Sequence, residues 1–354
     1  MSDERAETGG TGKPRLGLVR ILVITLMLVF GLAIAAAGAA IGGYAWVGWQ
    51  FTRPGPVADD TTVLIPRGSG LGAIARQLET EGLIRDERVF RLRIRLDDSA
   101  APVRAGEYAV PAEASMAQIY DILRYGETIQ HPVRVPEGLT TAMVVRILEA
   151  HPMLDGELTD IPGEGEILPE TYLVDRGTSR QEVLDRLREG QRRLLERLWA
   201  ERQEGLPFET VEEAIILASI VEKETGVGDE RPLVASVFVN RLRRGMRLQS
   251  DPTIIYGVTG GEPLGRGIRR SELDDETNPY NTYFITGLTP GPIANPGRAS
   301  IEAVLDPPET DYLYFVADGT GGHAFARTLA EHNRNVANWR RIERERAAAR
   351  QEQN

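Results

Sequence analysis

The sequence predicts an α+β protein with a single N-terminal transmembrane helix, a small α+β subdomain beside the membrane, and a larger mixed α/β domain with long loops. Three features carry this expectation: one long apolar run, a strand-helix-helix-strand pattern after it, and a series of amphipathic helices followed by a segment rich in Gly, Pro and Asn. The 354 residues suffice for an anchor and two or three folding units at ~100 to 200 residues each.

The apolar run Ile21 to Val47 carries no ionisable side chain other than Tyr44 and exceeds the ~20 residues that cross a bilayer as a helix. Lys13, Arg15 and Arg20 precede it, while Tyr44, Trp46, Trp49 and Phe51 cluster at its far end. That asymmetry matches a cytoplasmic N-terminus and an aromatic belt at the outer interface. A cleaved signal peptide, for which Ala35 to Ala40 is suited, and a buried core helix are the alternatives. The expected division is a cytoplasmic tail at 1–20, the span at 21–47, a linker at 48–60, the membrane-proximal subdomain at 61–128, the larger domain at 129–340 and a charged tail at 341–354.

In the first subdomain, Thr62 to Pro66 alternates as a strand and Leu71 to Glu81 has a helical apolar face at Leu71, Ile74, Ala75 and Leu78. A second helix is expected around Asp86 to Leu96, a strand at Gly106–Val110, and a helix over Ser115 to Tyr125, opened by its serine cap. The next strand-like segment, Ile129 to Pro136, runs through Glu137-Gly138 into a helix at Thr141 to Glu149. This echoes Ile65-Pro66-Arg67-Gly68, either as a weak repeat or as common strand-to-helix turn chemistry.

Arg180 to Arg202 reads as a charged helix whose outer face is solvated. Thr210 to Thr225 carries a broad apolar surface, and Thr210 with Glu213 forms a capping-box signature. Another helix is expected over Glu230 to Arg244, whereas Ser250 to Gly297 reads as a long irregular surface. Tyr312 to Ala317 reads as a strand, Asp318 to Gly322 as a turn and Thr328 to Trp339 as a helix, with 341–354 a frayed helix or tail.

Composition narrows the chemistry. The absence of cysteine excludes a disulfide framework and a thiolate nucleophile. A net charge of -11 argues against a nucleic-acid partner, because phosphate binding relies on clustered Lys and Arg. His323 and His332 lack a third ligand at a recognisable spacing, so no metal and no cofactor is expected.

The helix Thr210 to Thr225 ends in Ile220-Val-Glu-Lys-Glu-Thr225, where Glu222 borders the packed face and Glu224 is offset by ~200° at ~100° per residue. A partly buried glutamate there is suited to general-acid work, since burial raises a carboxyl pKa. The alternative is an ion pair between Glu222 and Lys223 or an arginine of the following helix. Gln249, Ser250, Tyr280, Asn281 and Asn295 are candidates for positioning substrate, with Glu170 and Tyr172 beside them; amides, hydroxyls and aromatic rings suit sugar binding. The same residue types also cap and rigidify turns.

Five segments in order, Leu217-Ala-Ser-Ile-Val-Glu-Lys-Glu-Thr225, Met246-Arg-Leu-Gln-Ser-Asp-Pro-Thr-Ile-Ile-Tyr256, Pro279-Tyr-Asn-Thr-Tyr283, Gly291-Pro-Ile-Ala-Asn-Pro-Gly297 and Gly322-His-Ala-Phe325, together with Gly163 to Tyr172, closely resemble the endolytic murein transglycosylase family. The resemblance extends from residue 60 to residue 334. It implies that Thr62 to Glu127 is a LysM-like unit and that 129–340 is a catalytic domain with Glu222 as its catalytic glutamate. It further implies a lyase of the bacterial inner membrane, with its catalytic part extracytoplasmic, that cleaves nascent peptidoglycan glycan strands between N-acetylmuramic acid and N-acetylglucosamine and leaves 1,6-anhydromuramyl ends. Peptidoglycan synthases are the expected protein partners, besides the lipid bilayer. A peptidoglycan hydrolase would favour a second carboxylate, with Glu224, Glu166, Glu170 and Asp251 as candidates. A membrane-tethered glycan-binding or division-scaffold protein is the non-enzymatic alternative.

Overall fold

The computed structural model describes residues 15–97 and 103–352. Lys13 and most of the expected tail 1–20 fall outside them, as do the last two residues of the tail 341–354. The chain forms two compact units, divided after Ile129.

The first unit opens with helix α1 (Arg15–Thr52), of which Val19–Thr52 is long and apolar enough to cross a membrane. The helix continues past Val47, through the first residues expected as linker, because its last turns have a core to join. Val47 and Phe51 are buried, and the Phe51 ring lies 6.0 Å from Phe90 and 6.4 Å from Tyr120. Strand β1 (Thr61–Ile65), helices α2 (Leu71–Thr80) and α3 (Glu87–Arg95), strand β2 (Gly106–Val110) and helix α4 (Met116–Tyr125) complete the unit. The two strands pair antiparallel with Val63 opposite Tyr108, so their inward side chains meet the apolar helix faces. Asp86 caps α3 by accepting from the backbone N–H groups of Arg88 and Val89, and Ser115 with Gln118 forms a capping box on α4.

The second unit begins with strand β3 (Gln130–Arg134), helix α5 (Thr141–Ala150), and strands β4 (Leu154–Asp155), β5 (Thr171–Asp175) and β6 (Thr178–Ser179). β3 pairs antiparallel with β5, and β4 pairs in parallel with β6. Helices α6 (Arg180–Ala200) and α7 (Val211–Glu224) follow, and then, after a short 3-10 turn, α8 (Arg231–Arg243). Next come α9 (Asp251–Thr259), the short α10 (Arg270–Leu273), α11 (Arg298–Leu305), an antiparallel hairpin of β7 (Tyr314–Ala317) and β8 (His323–Ala326), and α12 (Leu329–Glu352).

Helix α7 is the hub. Ala214, Ile215, Leu217, Ala218, Ile220 and Val221 are all buried, and the helix packs against α8, α9 and α11. Its start follows the sequence expectation: Thr210 Oγ accepts from the Glu213 N–H while the Glu213 carboxylate accepts from the Thr210 N–H. Its end does not depend on Gly226, since Thr225 already takes an extended conformation with φ of -137°.

Part of Ser250 to Gly297 corrects the irregular expectation. α9 forms there with Ser250 at its N-cap, Pro252 in its first turn and Gly260 as a left-handed stop at φ 66°. The charged segment from Arg341 onward continues α12 without a break as far as Glu352.

Candidate active site

Glu222 projects from the last turn of α7 with its side chain only 6% exposed. One carboxylate oxygen, Oε2, accepts from the Ser300 hydroxyl at 2.6 Å and from the Gly297 backbone N–H at 3.0 Å. The other, Oε1, accepts no hydrogen bond among the described residues, so the carboxyl is oriented through one oxygen while the second is left without a donor. Ser300 is available because it lies in the first turn of α11, which packs directly on α7.

The expected alternative of an ion pair is met in part. Arg231, the first residue of α8, has its guanidinium 3.8 Å from Glu222 Oε1, outside hydrogen-bonding distance. The same guanidinium stands 3.9 Å from Glu137 Oε2, so the cation is shared between two carboxylates. Lys223 turns away to donate to the Gly138 carbonyl at 3.0 Å. Burial, and then the Glu222 charge, raise the Glu137 pKa, while Arg231 opposes them.

The turn carrying Glu137 is pinned against α7. Gly138 takes φ +71°, and its N–H donates to the Asn295 carbonyl at 3.0 Å. Gly68 takes φ +78° at the equivalent place after β1, so the echo between the two segments extends to the backbone. A Cβ at Gly297 would lie 1.9 Å from Glu137 Oε1, so the Glu137 carboxylate rests against this glycine and would have to move to admit a side chain. Both carboxyls therefore converge on Gly297: Glu222 on its N–H and Glu137 over its Cα.

Asn295 holds the surrounding loops together. Its Oδ1 accepts from Gly165 N–H at 3.0 Å and Ile167 N–H at 3.1 Å, and its Nδ2 donates to Leu139 O, Thr141 Oγ1 and Glu164 Oε1 at 3.0 to 3.2 Å. Asn281 does the same for its own loop, donating to the Leu273 and Asp275 carbonyls and accepting from the Tyr283 N–H. Both are 0% exposed, with their amides engaged in clamping the loops around them.

Ser250 is also buried, and its hydroxyl donates to Glu224 Oε1. Burial raises the Glu224 pKa to about 7, against the opposing Ser250 hydrogen bond and with a further rise from Asp251. Glu224 thus belongs to a separate cluster in which the Tyr283 hydroxyl donates to Asp251 at 2.8 Å. Arg241 secures the adjoining loop by donating to the Arg247 and Leu248 carbonyls and, at 3.5 Å, to Oε1 of the exposed Gln249, which takes a left-handed φ of 52°.

Tyr280 is half-buried, with its ring 4.9 Å from that of Tyr256. Glu170 is exposed and faces Arg298 at 3.5 Å. Tyr172 is half-buried on β5, opposite Val133, and burial pushes its hydroxyl pKa up to about 12. Of the other proposed second carboxylates, Glu166 faces Arg188 at 3.3 Å and Asp251 faces Tyr283. His323 meets Glu230 at 2.7 Å, and His332 stacks on Tyr314 at 5.2 Å. A concavity of about 920 Å³ lies between α6, the first half of α7 and Pro290 to Pro292, and Glu222 is not part of its lining. A second, of about 510 Å³, includes Arg231 in its wall.

The model of the YceG-like family matches residues 63–338, which takes in the whole of this site. The chain belongs to the YceG-like family. Among its relatives, the endolytic murein transglycosylase of Bacillus subtilis is 32% identical over 329 residues, covering 83% of this chain and 89% of that protein. The endolytic murein transglycosylase of Streptococcus pneumoniae is 29% identical over 374 aligned residues, covering 90% of this chain and 65% of that protein. The crystal structure of a YceG-like protein from Listeria monocytogenes aligns with a TM-score of 0.47 and 28% identity, covering 78% of this chain and 98% of that one.

In this member of the family, sequence reasoning missed Glu137 and Ser300, and it anticipated Arg231 only as an arginine of the following helix paired with Glu222. Glu137 carried one usable signal, its place immediately before a turn glycine between a strand and a helix. Ser300 carried none, because its role arises only when α11 packs beside the end of α7.

Proposed function

We propose that this chain is a membrane-anchored enzyme that cleaves peptidoglycan glycan strands by a lytic, non-hydrolytic reaction, with Glu222 as a catalytic carboxyl. The observation that carries this reading is the state of Glu222 itself: nearly buried, oriented by Ser300 and Gly297, with Oε1 free of hydrogen bonds among the described residues and facing Arg231 at 3.8 Å. The similarity to the Bacillus and Streptococcus endolytic murein transglycosylases supports it.

Physical chemistry makes one such oxygen sufficient for the outline of the reaction. Protonated, it donates to the glycosidic oxygen between N-acetylmuramic acid and N-acetylglucosamine as positive charge develops at the anomeric carbon. Ionised by that transfer, it takes the proton of the C6 hydroxyl while that oxygen closes on the anomeric carbon, giving a 1,6-anhydromuramyl end. No water is consumed. Gln249, Tyr280, Glu170 and Tyr172 are the proposed sugar-positioning residues, and the first unit is proposed as the LysM-like glycan-binding part.

The anchor confines such a site to strands near the membrane, where peptidoglycan synthases would deliver nascent substrate. In this reading α1 crosses the inner membrane with the remainder of the chain outside the cytoplasm.

Mass analysis of products from uncrosslinked glycan strands tests the reaction type. Products lighter by one water than the corresponding reducing-end fragments, with no heavy oxygen taken from labelled water, support the lytic reading; reducing ends carrying that label would replace it with hydrolysis.

A further inference from the structure

We propose that Glu137 is a second catalytic carboxyl of this site, working with Glu222 across Arg231 as an acid–base pair. This rests on the lytic reading given above. Its basis is geometric: the two carboxyls converge on Gly297 and stand 3.9 and 3.8 Å from the same guanidinium. They differ in access, the Glu137 side chain being 44% exposed and that of Glu222 6%. Glu137 therefore meets whatever approaches from solvent, while Glu222 lies deeper.

The charged groups facing Glu137 are few. Glu222 comes from α7 and Arg231 from α8; Lys223, also on α7, binds the carbonyl of the next residue, Gly138. Arg231 Nε is buried and has no hydrogen-bond partner among the described residues. Two carboxylates around one cation leave a net negative charge, and adding one proton neutralises the cluster.

That singly protonated state supplies both partners of the lytic step together. The carboxyl carrying the proton gives it to the glycosidic oxygen as the bond from that oxygen to the anomeric carbon breaks. The C6 oxygen forms the new bond to the anomeric carbon, and its proton passes to the ionised carboxyl. The pair ends with one proton, as it began, and needs neither water nor another reactant.

The test compares the full-length chain in detergent with its Glu137→Gln and Glu137→Asp forms on uncrosslinked glycan strands, measuring kcat and KM across pH. The wild type is expected to lose activity on both sides of its optimum, because the doubly protonated pair lacks a base and the doubly ionised pair lacks an acid. Glu137→Gln should lower kcat by ~100-fold or more with little change in KM, and should abolish the fall on the acid side, since one carboxyl must then act serially. Glu137→Asp retains a carboxyl and should restore the acid-side fall at reduced kcat.

Unchanged kcat in Glu137→Gln, or a lowered kcat with both sides of the profile intact, would overturn the pair while leaving Glu222 in place. If Glu137→Gln fails to fold, loss of the acid-side fall in a folded Glu137→Asp protein would overturn it equally. A wild-type chain that releases labelled reducing ends would defeat the lytic reading, and the pair with it.

Discussion

Glu222 and Ser300 are joined by a 2.6 Å hydrogen bond between the end of α7 and the first turn of α11. This bond and the Gly297 N–H occupy one carboxyl oxygen and leave the other without a hydrogen bond among the described residues, facing Arg231 at 3.8 Å. Ser300→Ala is expected to keep the fold and lower kcat by roughly 10- to 100-fold, since a charge-assisted hydrogen bond contributes ~1.5 to 3 kcal/mol. Steady-state kinetics on glycan strands, with thermal unfolding as control, checks this.

Asn295→Ala should be more damaging to stability than to any single chemical step. Five hydrogen bonds from one buried amide are lost, and at roughly 1 to 3 kcal/mol for each buried group left unsatisfied, a loss of about 3 kcal/mol or more is expected. Denaturant unfolding of the second unit measures it. A variant as stable as wild type would mean that the clamp is not formed.

Gly138→Ala imposes a left-handed conformation on alanine at φ +71°, costing ~1 to 2 kcal/mol, and sets a methyl group 3.4 Å from Glu222 Cγ. Reduced stability and reduced kcat are expected together. Gly68→Ala, at φ +78° in the first unit, should carry the backbone cost without the catalytic one.

Glu224 gives a pH dependence of known sign. Its native pKa of about 7 exceeds the ordinary 4.5, so the native protein binds the proton more tightly than the unfolded chain does. The resulting contribution to stability is fully present below pH 4.5, falls as pH rises from there to about 7, and is flat above. Subtracting the pH profile of Glu224→Gln from that of wild type isolates this slope; equal slopes in the two proteins would contradict the assignment.

Phe51→Ala tests whether the end of α1 belongs to the first unit. Phe51 is 7% exposed and packs near Phe90 and Tyr120, so its truncation should destabilise that unit by ~3 to 5 kcal/mol. An unchanged unfolding transition would mean that this turn is not part of the core.

Much of the architecture was legible because local chemistry and tertiary packing agree. The capping signatures at Ser115 and Thr210 mark helix starts, and the apolar spacing through Val221 identifies the hub helix. β5 was not legible: Thr171 to Asp175 is short, and its strand character comes from pairing with β3. The helix after Ser250 was obscured by the Gly-rich and Pro-rich sequence beyond it, although Pro252 and Gly260 are start and stop signals.

The candidate site divides along the same line. Glu222 stood out from the edge of an apolar helix. The roles of Asn281 and Asn295 did not, since residue type alone cannot separate an amide that binds sugar from one that clamps a loop. Glu137 lies 85 residues before Glu222 in the chain, and only the fold brings the two to a common arginine.

The most direct measurement is product release from uncrosslinked glycan strands by the full-length wild-type chain and by Glu222→Gln at matched folded concentration. Wild type should yield anhydro-ended fragments, and the variant, whose amide oxygen can still accept from Ser300 and Gly297, should fold normally and lose ~100-fold or more of the rate. Anhydro-ended fragments at an undiminished rate from Glu222→Gln would contradict the assignment of Glu222 to the chemistry.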